Sequence, residues 1–299
     1  MIGVFDSGSG GLTVLRALVE RLPDQRFVYL GDHDKAPYGD RHPEEIYDLT
    51  LINVERLFEL GCSLVVLACN TAAAVALRRL QQTWLPFHHP ERRVLGVLVP
   101  VVESVTRVPW ETRSSATTEP GVPARVGIFA TARTVESGAY PREIGARAPA
   151  VSVLQQACPE LVGRIEADAG REELADLVAG YARDLLAQAG DGPLDSVVLG
   201  CTHYPLIEEL FRAALPEGVE ILSQPDLAAR SLEGYLRRHP QHLDPAAPED
   251  RRVVAFSTAS ARAVRPLGNR FFGSSLAFCQ LGRPRLRRPE ADDGLNAAL

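Results

Sequence analysis

The sequence predicts an α/β protein made of two similar units. Three observations carry this. Ser196–Leu206 (SVVLGCTHYPL) reads as a buried strand, Val197–Gly200, that ends on a cysteine and runs into an apolar-periodic helix from Leu206. Leu64–Thr71 (LVVLACNT) repeats the form of Ser196–His203 (SVVLGCTH): apolar strand, one small residue, a cysteine, then polar residues. Ile2–Ser9 (IGVFDSGS) pairs in the same way with Val126–Arg133 (VGIFATAR), and both pairs keep the same order in each half. An internal duplication accounts for them, with each unit presenting one cysteine.

At 299 residues the chain is long enough for two domains. Its 45% hydrophobic and 23% charged content is that of a globular protein. The formal net charge of −6 gives no electrostatic reason to expect a nucleic-acid partner. The first strand begins at Ile2, which leaves no room for a signal peptide, and no apolar run is long enough to span a bilayer. The expectation is a cytoplasmic protein with no membrane partner. The five cysteines (Cys62, Cys69, Cys158, Cys201 and Cys279) are odd in number, widely spaced and free of any C-x-x-C, which argues against a disulfide framework and a structural zinc site. Lys35 is the only lysine, so a pyridoxal-phosphate enzyme would have a single, loop-borne candidate for its Schiff base.

In chain order, Ile2–Phe5 is a strand, Asp6–Gly11 (DSGSGG) a tight loop, and Leu12–Leu22 a helix with apolar residues at Leu12, Leu15, Val19 and Leu22. The glycines allow a sharp turn and expose N–H groups to a ligand. A nucleotide cradle is disfavoured, because G-x-G-x-x-G would need glycine where Thr13 stands and no G-K-[ST] occurs. Asp6 reads either as a helix cap or as a catalytic carboxylate. Phe27–Leu30 is a strand. Gly31–Asp40 is a loop in which Pro37-Tyr38-Gly39 is either a plain turn or a pocket lining. Pro43–Gly61 is a helix, and Cys62 behind it is core. Leu64–Ala68 is the first cysteine strand, Ala72–Leu80 a helix, Trp84–Arg93 a loop, and Val94–Val102 a strand running into a helix. Pro109–Pro123 reads as a surface insertion. Val126–Ala130 is a strand, Thr131–Tyr140 opens a helix, and Val151–Leu154 is a strand. Cys158-Pro159 begins a connector that is largely helical to Gly190. After the second cysteine strand come strand Val219–Leu222, helix Leu227–Arg238 and strand Val253–Thr258. Phe271–Leu281 closes the folded part, and 282–299 reads as a disordered tail.

Two thiols suggest a chemistry. A cysteine has a reference pKa near about 8.5, and a helix N-terminus or a nearby cation lowers it. A thiolate on one face of a carbon can remove a proton while a thiol on the other face returns one, which inverts the centre. His203 is two residues from Cys201, and Asp6 lies on a strand expected to neighbour that of Cys69. Two other readings stand beside this one. Free cysteines are often simply core, and a metal site would use Cys69, Cys201 and His203, although no other ligand cluster completes its set.

GVFDSGSGGLTV (3–14), PYG (37–39), ACNTA (68–72) and GCTHYPL (200–206) together resemble the glutamate racemases of the aspartate/glutamate racemase superfamily. GIFATARTVESGAY (127–140) and ACPELVGRIE (157–166) also look like family segments, and the resemblance runs from about Ile2 to Leu281. It implies two similar α/β domains with mainly parallel sheets and the active site in the cleft between them. The first domain would hold 1–97 and 208–281, and the second 98–207. It implies a homodimeric, cofactor-independent enzyme that interconverts L- and D-glutamate for peptidoglycan. Cys69 and Cys201 would be the two bases, with Asp6 assisting Cys69, and His203 and Glu166 assisting Cys201. Ser7, Pro37, Tyr38, Gly39, Asn70, Thr71, Thr131, Thr134 and Thr202, together with the catalytic Asp6, Cys69, Cys201 and His203, would bind substrate. The chain departs from the family pattern at Val162–Glu166, where the usual V-P-L-V-E is absent, and at Ile221–Gln224, where an acidic residue is usual. Rival readings are a sister enzyme acting on aspartate, a decarboxylase or isomerase of the superfamily, and a non-enzymatic amino-acid-binding module.

Overall fold

The computed structural model describes residues 1–109, 124–190, 192–244 and 252–282. Beyond Pro109, the expected insertion to Pro123 lies outside the described residues, as does the tail after Gly282. Among the described residues, ten strands form two sheets in which every pairing is parallel. They are β1 (Ile2–Asp6), β2 (Phe27–Gly31), β3 (Leu64–Leu67), β4 (Arg93–Gly96), β5 (Arg125–Ala130), β6 (Ser152–Ala157), β7 (Ser196–Gly200), β8 (Glu220–Leu222), β9 (Val253–Ser257) and β10 (Phe278–Gln280).

The first sheet runs β10-β9-β2-β1-β3-β4 and the second β6-β5-β7-β8. Four strands of the first, β2-β1-β3-β4, thus match the whole of the second in order. In both, the strand that ends on a cysteine pairs with the I-G-V-F-like strand: Ile2 opposite Leu64, and Val126 opposite Ser196. The central strands read as unbroken apolar runs because helices cover both faces of each sheet. Ile2 and Val4 pack with Leu12, Leu15 and Leu18, and this cluster continues through Leu232 into Leu185, Val197 and Leu199 of the second unit. Phe5, Val65 and Leu67 pack on the opposite face with Leu57, Phe58 and Cys62, so Cys62 is core as expected.

The chain returns to the first unit later than expected. Glu220–Leu222 is still paired with β7, Ser196 opposite Glu220, where β4 lies in the first sheet. The return comes only with helix Gln224–Arg238, which packs along helix Leu12–Arg21. One further expectation is corrected. Trp84–Arg93 is not all loop: the helical path continues through Leu80–Trp84 and Leu85–His88 because Trp84 stacks on Phe58, ring centroids 6.1 Å apart. Helix Ala261–Phe272 forms despite Pro266, with the Ser260 side chain accepting from the Ala263 N–H. Among the described residues, no helix is long and apolar enough to cross a membrane.

Candidate active site

Both motif cysteines stand at the carboxyl ends of central strands, where open parallel sheets bind ligands. Cys69 follows β3 and caps helix Asn70–Val75, its Sγ accepting from the Ala72 N–H at 3.4 Å. Cys201 follows β7. Although they come from different sheets, the two thiols line one cavity of about 150 Å³, and each is 5% exposed. Two larger cavities, of about 340 and 620 Å³, contain neither thiol.

On the Cys201 side the neighbours form a chain. The His203 Nδ1 lies 3.7 Å from the Cys201 Sγ, and its Nε2 lies 2.9 Å from the Glu166 Oε1. Burial opposes charge on His203, but its contacts with Cys201 and Glu166 outweigh burial and raise its pKa to about 10. At neutral pH it is therefore an imidazolium, donating to Glu166 and facing Cys201 with its other N–H. Burial would raise the Glu166 carboxyl, yet the His203 contact holds it below its ordinary value. The departure at Val162–Glu166 thus leaves the carboxylate in contact with the histidine. Phe271 abuts the His203 ring edge-on at 5.1 Å.

On the Cys69 side, the thiol donates to the Ser7 Oγ at 3.5 Å. Burial and then the nearby Asp6 charge push this thiol up to about 12, against the Ser7 and Ala72 contacts. Asp6 is itself raised, chiefly by burial, although the Gly8 N–H donates to it at 2.8 Å. Asp6 does not cap helix Leu12–Arg21, which has no side-chain cap. The Thr202 hydroxyl reaches Asp6 at 3.5 Å, so the carboxylate touches both halves of the site.

The glycine loop serves close approach between the units. A Cβ on Gly10 would lie 2.2 Å from the Thr202 Oγ1 and 2.5 Å from the His203 Nδ1. Thr13, which breaks the nucleotide pattern, donates to the Thr202 carbonyl at 3.0 Å and so ties the Cys201 loop to the first unit.

Of the other expected residues, Ser7, Pro37, Tyr38, Gly39, Asn70, Thr71, Thr131 and Thr202 all line the cavity. The pocket reading of Pro37-Tyr38-Gly39 therefore fits better than the plain turn. The Tyr38 hydroxyl donates to Asp32 at 2.7 Å, and Asp32 is also held by Asn53 and Thr258. Thr134 is fully buried and does not line the cavity; its hydroxyl is 3.0 Å from that of Thr131 and 3.3 Å from that of Thr71. The Asn70 amide is tied into a buried group: its oxygen accepts from Gln224 at 2.6 Å and from Tyr140 at 3.0 Å.

Sequence reasoning missed Asp32, in the same loop as Tyr38, and Tyr140 and Gln224, which are separated in sequence from the Asn70 they support. It also missed Cys158 as a cavity residue. The available signal was its place directly after β6, the same strand-end position that marked the other two thiols. Burial pushes the Cys158 thiol up, with the Tyr204 contact acting against it. Among the described residues, no group of three His, Cys, Asp or Glu is arranged to hold a metal ion.

The Asp/Glu/hydantoin racemase family model matches residues 2–232. A protein of Phenylobacterium zucineum named glutamate racemase is 48% identical over 282 residues, covering 93% of this chain and 98% of its own. Among solved structures, a glutamate racemase isoform of Bacillus anthracis superposes with a TM-score of 0.78 at 29% identity, covering 94% of this chain and 97% of its own. The glutamate racemase of Francisella tularensis in complex with D-glutamate gives 0.76 at 25% identity, covering 94% and 96%. With a family motif on each thiol, both thiols on one cavity and relatives that match nearly end to end, this chain belongs to the Asp/Glu/hydantoin racemase family, in its glutamate racemase branch.

Proposed function

We propose that the chain interconverts L- and D-glutamate by two-base proton transfer at the α-carbon, using side-chain acids and bases alone. The observation that carries this is the opening of Cys69 and Cys201, one from each sheet, onto a single cavity. The Cys69 thiolate takes the α-proton of D-glutamate. The electron pair left on carbon is delocalised into the carboxylate, and the Cys201 thiol returns a proton to the opposite face. For L-glutamate the roles reverse. Asp6 and Ser7 attend Cys69. His203, held by Glu166, sets a positive charge beside the sulfur that becomes negative when Cys201 acts as base. Ser7, Pro37, Tyr38, Gly39, Asn70, Thr71, Thr131 and Thr202 hold the substrate, with Thr134 fixing the threonine hydroxyls from behind. The glutamate racemase relatives support glutamate over aspartate, and a supply of D-glutamate for peptidoglycan follows from the same reading. The homodimer implied by the family resemblance is tested by sedimentation of the full chain.

The experiment on function incubates the protein with L- and D-glutamate in deuterated water, following optical rotation and α-carbon deuterium by NMR. Racemisation with deuterium incorporation in the product is the expected result. Absence of both leaves only a binding module, and faster turnover of D-aspartate than of D-glutamate moves the assignment to a sister enzyme.

A further inference from the structure

The helix that delivers Glu166, Leu161–Glu166, is only six residues long and ends in a defined cap. The Ala169 N–H donates to the Arg164 carbonyl at 3.0 Å, and the Asp168 N–H to the Ile165 carbonyl at 3.2 Å. This is the paired pattern of a Schellman cap, whose left-handed position is ordinarily glycine. Here that position is Asp168, at φ 57°. An aspartate tolerates this backbone less well than glycine does, so its side chain invites explanation.

Arg270 supplies one. It lies on helix Ala261–Phe272, in the segment between β9 and β10 of the first sheet, whereas the Glu166 helix follows β6 of the second. Its guanidinium reaches across, donating to the Ile165 carbonyl through one nitrogen and to the Asp168 carboxylate through the other. Both acceptors flank Glu166 in sequence. The next residue on the same helix, Phe271, is the ring against His203. One helix of the first unit therefore touches the cap beneath Glu166 and the imidazole that Glu166 meets. The Arg270–Asp168 ion pair is exposed on the aspartate side and adds little stability by itself. The bond to the Ile165 carbonyl is part-buried, and it satisfies a helix-end acceptor with a cation, as the helix dipole favours.

We propose that Arg270 is a positioning residue: by clamping the cap of the Leu161–Glu166 helix from the opposite unit, it fixes Glu166 against His203 on the Cys201 side of the cleft. Its consequence for turnover rests on the two-thiol reading, whereas its consequence for His203 does not. Glu166 is faced by His203, His33, Arg270 and the Tyr29 phenol, and His203 by Cys201, Glu166 and Asp6. In the Arg270 and Asp168 variants below, all of these except Arg270 remain, and Glu166→Gln changes only Glu166.

The test follows the His203 ring nitrogens by NMR titration of the ligand-free full chain, in wild type, Arg270→Ala, Arg270→Lys and Glu166→Gln. The kcat and KM for glutamate are measured alongside. Simple removal of a cation would raise the His203 pKa through space. Loss of positioning lowers it, because Glu166 drifts from the imidazole. The expected result is a lowered His203 pKa in Arg270→Ala, in the same direction as in Glu166→Gln. With it comes a kcat loss on the order of ten-fold at nearly unchanged KM. Arg270→Lys, which keeps charge but not the two-pronged reach, falls between wild type and Arg270→Ala. A His203 pKa that is unchanged or raised in Arg270→Ala overturns the proposal. If Arg270→Ala fails to fold, Arg270→Lys and Asp168→Asn carry the same titration, and wild-type behaviour in both overturns it equally. A wild type that does not racemise glutamate removes the functional reading, and the His203 titration still decides the role of Arg270.

Discussion

Glu166→Gln removes the carboxylate charge 2.9 Å from the His203 Nε2 while leaving an oxygen acceptor in its place. A charge-assisted hydrogen bond nets about 1.5–3 kcal/mol, roughly twice a neutral one. The swap therefore forfeits about 1 kcal/mol of preference for the imidazolium, a little under one pKa unit. The Glu166 side chain is 29% exposed, so screening trims this further. His203 should move from about 10 to about 9. At neutral pH it stays protonated in both proteins, so kcat there falls only through poorer orientation, by about ten-fold or less. Stability carries the same signature. The folded His203 value lies above the ordinary 6.5, so its contribution is fully present below about 6.5 and is lost as pH rises through about 10. In Glu166→Gln that loss is smaller and complete about one unit earlier. The assays are an NMR titration of the His203 ring and urea unfolding at intervals from pH 6 to 10. An identical His203 titration in wild type and variant refutes the assignment of Glu166, beside Cys201, as a group that sustains the imidazolium.

Cys69→Ala and Cys201→Ala should each lower racemisation in both directions by at least about 10²–10⁴-fold, because each removes the acid–base group of one face. Polarimetry from either enantiomer checks this, and near-normal turnover in either variant ends the two-base assignment. Gly10→Ala drives a methyl to 2.2 Å from the Thr202 Oγ1 and 2.5 Å from the His203 Nδ1. It should cost about 1–3 kcal/mol of stability and most of the activity, and a wild-type melting curve with wild-type kcat would contradict the close approach. Gln224→Leu removes the acceptor of the buried Asn70 N–H and one of the donors to the Asn70 oxygen and the Tyr140 hydroxyl, leaving only the Tyr140–Asn70 bond between them. The expected loss is about 2–4 kcal/mol by chemical denaturation, and a loss below about 0.5 kcal/mol would mean the buried amide pair is dispensable.

The parallel strands were legible because burial on both faces leaves unbroken apolar runs such as Val197–Leu199, and the thiols because both follow such runs at the same offset. The duplication was legible too, although its full extent was not. Glu220–Leu222 is short and its first residue is polar and exposed, so its membership of the second sheet shows only in its pairing with β7. Helix Ala261–Phe272 was hidden by Pro266 and Gly268, which break its local signal although its buried face packs. Asp32, Tyr140 and Gln224 were invisible for a different reason. Tyr140 and Gln224 support Asn70 across 70 and 154 positions, and such partnerships leave no local pattern, whereas Asp32 lies only six residues from Tyr38 in a loop without periodicity. Arg270 belongs with them, since nothing near it in sequence reveals that it meets Ile165 and Asp168.

The matching order of β2-β1-β3-β4 and β6-β5-β7-β8 has a historical consequence. Each half brings one strand-end sulfur to a shared hollow, so an ancestor of half this length would have needed two identical copies to assemble both. In such a pair the sulfurs would have been equivalent by symmetry, with the same neighbours. Joining the copies into one chain would free the two surroundings to differ, as they do here, with aspartate and serine around Cys69 and histidine and glutamate around Cys201. On that account the inequality of the two sulfurs would be an acquired trait, laid over an equality that the order of the strands still keeps.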